Sequence, residues 1–70
     1  MLLAEEHQEV LSAVRRLPKR QQQVLTLRYW SEMTEVEIAQ ALGVSTGTVK
    51  TCASRGLASV ERHLRSGNAQ

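Results

Sequence analysis

Aromatic residues are nearly missing from this chain: Tyr29 and Trp30 stand together, and there is no Phe. Stacking platforms of the kind that hold single-stranded nucleic acid are therefore excluded. Cysteine is just as scarce. Cys52 is alone, which rules out an internal disulfide and a Cys-based zinc site. His7 and His63 are far apart in sequence, so no metal is expected. The sequence has no Gly-rich phosphate loop, no nucleophile elbow and no carboxylate pair suited to a cleft. It reads as a non-enzyme without a cofactor. Long apolar runs are also missing, which excludes a membrane-spanning helix and a signal-peptide core.

What is present fits one small domain. The chain has 70 residues, 41% of them apolar and 23% charged, a globular mix rather than a disordered one. A domain of this size buries only roughly 60% of its unfolded surface, so its core is thin and a lidded substrate pocket has no room. The net charge is +2, and it is unevenly placed. Residues 1–45 carry six acids against five bases, whereas residues 46–70 carry Lys50, Arg55, Arg62 and Arg65 against Glu61 alone. The last third of the chain is where a polyanion would be met. A solvated helix face is the plain alternative, and charge alone does not choose between them.

The apolar spacing is helical throughout, and the fold class it predicts is all-α, four helices ending in a helix-turn-helix. Leu3, His7, Val10, Leu11, Val14 and Leu17 line one face of a first helix that stops before Pro18. Pro18 opens a second helix that runs to about Trp30, followed by a short connection at residues 31–33. Tyr29 and Trp30 read as core or helix-end packing, with a partner-contact surface as the alternative for Trp30. Thr34 and Glu37 form a T-x-x-E capping box bracketed by Met33 and Ile38. The third helix then ends at Gly43. Ser45 caps a fourth helix, Thr46 to about Leu64, with Val44 and Val49 as its staple. Residues 1–65 form the domain, and residues 66–70 read as a frayed tail.

The third and fourth helices, joined by a tight turn with a glycine, have the helix-turn-helix pattern. Two helices can pack this way without touching DNA, so the outward face of the fourth helix decides. Stepping 100° per residue puts Val49, Ala53, Gly56, Leu57, Val60 and Leu64 on the buried side, with Cys52 at its edge as a small packed side chain. The opposite side carries Gly47, Thr51, Ser54, Arg55, Ala58, Arg62 and Arg65, flanked by Thr48 and Lys50. That face is small and polar near its start and basic further on, so it fits a major groove. The first-turn N–H groups of Thr46, Gly47 and Thr48 suit a phosphate. Lys50, Thr51, Ser54 and Arg55 stand where base edges would be read, Arg55 as the candidate for guanine. Ordinary solubility charges are the alternative for Lys50 and Arg55. For Arg62 and Arg65, backbone positioning or plain solvation is expected. Gly47 weakens its helix by up to about 1 kcal/mol relative to Ala, which close approach to DNA or a packing constraint would explain equally well.

Three stretches together resemble region 4 of bacterial sigma factors, most of all the extracytoplasmic-function group of actinobacteria. They are Leu17-Pro18-Lys19-Arg20, then Glu37-Ile38-Ala39-Gln40-Ala41-Leu42-Gly43, then Ser45-Thr46-Gly47-Thr48-Val49-Lys50. The resemblance implies binding of double-stranded promoter DNA at the minus-35 element through Thr46, Gly47, Thr48, Lys50, Thr51, Ser54 and Arg55. It implies docking on the beta flap of RNA polymerase core, an anti-sigma factor as a candidate partner, and contact of Arg20 and Arg28 with DNA backbone or polymerase. A monomer in the bacterial cytoplasm, cut from a longer protein, is the matching expectation. Cys52-Ala53-Ser54 is smaller and less basic than in many relatives. Two alternatives carry weight: the output domain of a two-component response regulator, against which the Leu17–Arg20 start argues, and an interaction module that binds an anti-sigma factor or polymerase subunit.

Overall fold

The computed structural model describes the backbone of residues 2–68 and the side chains of residues 8–65. The order is α1 (Leu2–Arg15), α2 (Lys19–Leu25), a π-helical turn (Thr26–Trp30), α3 (Glu35–Leu42) and α4 (Thr46–Asn68). Among the described residues no helix is long and apolar enough to cross a membrane.

The chain leaves α1 two residues earlier than the apolar spacing indicates. Arg16 and Leu17 donate backbone hydrogen bonds to Ala13 and Val14, a tightened last turn. Leu17 precedes Pro18, and the proline ring disfavours helical backbone there. Pro18 itself stands just outside α2, at φ −54° and ψ 148°, and its carbonyl accepts from Gln22 N–H at 3.0 Å. It is the cap of α2 rather than its first helical residue.

Beyond Leu25 the helix widens. Ser31 N–H reaches back to the Thr26 carbonyl, a five-residue closure, and Met33 N–H reaches Leu27. Glu32 takes the left-handed backbone conformation (φ 56°) that reverses the chain. This departure from the regular 100° step moves Tyr29 and Trp30 off the core: they are 52% and 50% exposed. Of the core or helix-end packing expected for both, core burial is corrected, and both stand at the helix end.

The start of α3 agrees with its sequence signal in detail. Glu37 N–H donates to Thr34 Oγ1 at 3.1 Å, and Thr34 N–H donates to Glu37 Oε1 at 2.8 Å. Gly43 ends the helix at φ 69°, and Val44 N–H closes onto the Ala39 carbonyl at 3.0 Å.

Two apolar clusters meet along α4. One gathers Ala13, Val14, Leu17, Leu25 and Val60. The other gathers Val24, Ile38, Ala39 and Val49, with Met33, Leu42, Val44 and Cys52 packed against it. Consecutive residues of α2, Val24 and Leu25, thus serve different clusters, and Ala53 of α4 borders both. The second cluster fixes α3 against the first half of α4, which sets the geometry of the site. At Gly56 the contact of α4 with α2 is tight: a Cβ there would stand 3.0 Å from Leu25 Cδ1 and 3.2 Å from its Cγ.

Two expectations for α4 need revision. Leu57, placed on the buried stripe, is 44% exposed. It lies at the border of the stripe, beside an apolar cleft of about 160 Å³ shared with Val10, Val14, Tyr29, Trp30 and Val60. The helix also continues through Asn68, past the expected end near Leu64. No proline interrupts that last turn, and Arg65 beside the carbonyl end suits the helix dipole. Residues 69–70 of the expected tail lie outside the described residues, as do the side chains of Leu3 and His7.

Candidate nucleic-acid interface

The fourth helix, α4, is positioned from its first residue. Ser45 Oγ accepts from Thr48 N–H at 3.1 Å and donates to Thr48 Oγ1 at 3.0 Å. Val49 N–H takes the Ser45 carbonyl at 3.1 Å. The N–H of Thr48 is therefore spent inside the chain and does not face a phosphate, which corrects that part of the sequence reading. Its hydroxyl oxygen has accepted a hydrogen bond, so its own O–H is left to donate outward.

The outward strip forms as the helical period requires. Thr46, Gly47, Thr48, Lys50, Thr51, Ser54 and Arg55 are all exposed, while Val49 is fully buried and Cys52 and Ala53 are half-buried beneath them. The two sides of α4 are thus cleanly separated over its first three turns. Ala58, Arg62 and Arg65 continue the exposed face toward the other end.

The cations sort into two groups. Arg65 Nη2 lies 3.3 Å from Glu61 Oε2, an exposed pair one turn apart. Arg62 Nη2 donates to Ser59 Oγ at 3.0 Å. Arg28 Nη1 donates to the Met33 carbonyl at 3.4 Å, and its guanidinium sits 5.8 Å from the Tyr29 ring centre. Arg28 thereby braces the connection into α3, a role that sequence reasoning did not assign to it. Among the described residues, Lys50, Arg55 and Arg20 have no such partner, and neither have Arg15, Arg16 and Lys19. They are exposed, and their full donor sets face solvent.

The glycines of α4 also differ in kind. Gly56 is buried, and a Cβ there would crowd Leu25, as described above. Gly47 is exposed, and the nearest atom to a Cβ built on it is Ser45 Oγ at an ordinary 3.7 Å. The packing explanation left open for Gly47 is thereby removed.

A short capped helix, a left-handed glycine turn and a longer helix with a small polar face and free cations define a helix-turn-helix DNA-binding domain. Comparison with known families makes this specific. The family described as "Sigma-70, region 4" matches residues 7–64, and the chain belongs to it. Region 4 of a sigma factor binds the minus-35 promoter element, so this is a DNA-binding transcription-initiation domain and not an enzyme.

Curated relatives agree. The chain is 40% identical over 55 residues to the RNA polymerase sigma-E factor of Streptomyces antibioticus, covering 79% of this chain and 31% of that protein. It is 44% identical over 50 residues to the sigma-E factor of Streptomyces avermitilis, covering 71% and 28%. The chain therefore spans less than a third of the length of these relatives. A chain in the 1.8 Å structure of the RsbN–BldN complex superposes with a TM-score of 0.78 at 32% identity, covering 86% of this chain and 44% of that one.

Proposed function

We propose that this chain is the promoter-reading domain of an alternative sigma factor, and that it directs RNA polymerase to its promoters through the first three turns of α4. Thr46, Gly47 and Thr48 meet the DNA backbone. Lys50, Thr51, Ser54 and Arg55 reach base edges. The observation that carries this reading is the division among the cations. Arg62 and Arg65 each have a partner on their own helix, whereas Lys50 and Arg55, on the turns nearer its start, have none among the described residues. Arg20, exposed on α2, is the candidate for backbone or polymerase contact, and Arg28 and Arg62 can add to it with the donors that their internal hydrogen bonds leave unused.

The protein partners proposed are the beta flap of RNA polymerase and an anti-sigma factor, met by a monomer in the bacterial cytoplasm. Exposed apolar surface at Tyr29, Trp30 and Leu57 supports a protein contact of this kind. So does the likeness to a chain found in a two-protein complex.

Titration of the isotope-labelled chain with duplex DNA enriched from a randomised pool tests the DNA reading. The amides of Thr46, Gly47, Thr51, Ser54 and Arg55 are expected to move. A response confined to another surface would overturn it.

A further inference from the structure

The two glycines in the first half of α4, Gly47 and Gly56, each cost the helix up to about 1 kcal/mol relative to alanine. For Gly56 the chain supplies the reason, because Leu25 leaves no comfortable room for a methyl group. For Gly47 it supplies none. The residue is exposed, its backbone is not in the left-handed region that favours glycine, and a Cβ would meet nothing closer than 3.7 Å. Nothing among the described residues requires a missing side chain there, and a close neighbour from outside the chain would account for the glycine.

Gly47 is one turn before Thr51 and two before Ser54, on the strip that faces the groove. We infer that Gly47 sets how deeply α4 sits in DNA: the duplex approaches its Cα so closely that even one methyl group would lift the recognition helix off the base pairs. This deepens the promoter-reading proposal and rests on it. It makes Gly47 a positioning residue, which acts by letting Thr51, Ser54 and Arg55 come within reach. A helix raised by a methyl group would lose contacts along its length, because hydrogen bonds to base edges weaken steeply beyond their ordinary distances.

The test is a volume series, Gly47→Ala and Gly47→Leu, on the 70-residue chain. Thermal melts are read beside affinity for a duplex enriched by the unsubstituted chain from a pool with a randomised central hexamer. Melting temperature is expected to stay level or rise by up to a few degrees. Affinity is expected to fall on the order of tenfold with alanine, the loss of about one good base contact, and further with leucine. Undiminished affinity in Gly47→Ala would overturn the inference while leaving the promoter-reading proposal standing. Failure of the unsubstituted chain to enrich any duplex would instead overturn that proposal and this inference with it. A drop in melting temperature that accounts for the lost binding would also overturn it, since the glycine would then serve the fold.

Discussion

Ser45 and Thr48 hold each other by two hydrogen bonds, N–H to Oγ at 3.1 Å and hydroxyl to hydroxyl at 3.0 Å. The first satisfies an otherwise orphaned donor at the start of α4, and the second fixes the direction left to the Thr48 proton. Ser45→Ala removes both. It is expected to lower domain stability by about 1 kcal/mol, read as a lower urea midpoint at unchanged m-value. Ser45→Asp retains an acceptor for Thr48 N–H and should recover most of that stability. Its charge beside an approaching phosphate should still weaken DNA binding.

Leu25 and Gly56 define the opposite situation, an interior contact with no spare room. Gly56→Val would push a branched side chain into Leu25 Cδ1, already 3.0 Å from where a single Cβ would stand. A loss of about 1–3 kcal/mol is expected from overpacking, read by thermal or chemical denaturation. In a domain this small that is a large share of the total, and partial unfolding at room temperature is the extreme form of the same outcome.

Much of this architecture is legible in the sequence because it is decided locally. The capping box at Thr34 and Glu37 and the glycine turn at Gly43 each depend on residues within a few positions of one another, and they form as the spacing indicates. The exposed strip of α4 follows from a period that the regular helix keeps. What the spacing does not carry is any change of period. The π-helical turn at residues 26–30 alters the step between residues, so Tyr29 and Trp30 leave the face a regular helix would give them. Leu57 is missed for a related reason. It sits at the border of the apolar stripe, where only the tertiary positions of α1 and the π-turn decide whether anything covers it. The family membership was legible from short motifs. The bracing of residues 31–33 by Arg28 was not, because it depends on that same irregular turn.

Glu32 adopts a left-handed backbone at φ 56°, a conformation that costs a residue with a Cβ roughly 1–2 kcal/mol. Glu32→Gly removes that cost but adds freedom to the unfolded chain. The net expected effect is a gain in stability of up to about 1 kcal/mol, measured as a raised melting temperature. Unchanged DNA affinity should accompany it, because the residue is remote in sequence from the recognition strip.

Arg55 and Arg62 lie on the same exposed side of α4, yet they should answer differently to removal. Arg55 has an exposed guanidinium on the turns proposed to face the groove, and its fork geometry matches the two acceptors of guanine. Arg55→Ala is expected to lower discrimination at one base pair by about 1–3 kcal/mol, read by comparing binding to the enriched duplex and its single-position variants. Arg62 already donates to Ser59 and stands nearly two turns further along. Arg62→Ala should leave discrimination unchanged and at most weaken all duplexes equally. If it contacts phosphate, the slope of log affinity against log salt falls by about one as well. The paired comparison separates base reading from general attraction, since a uniform loss across sequences in Arg55→Ala would place that arginine on the backbone instead.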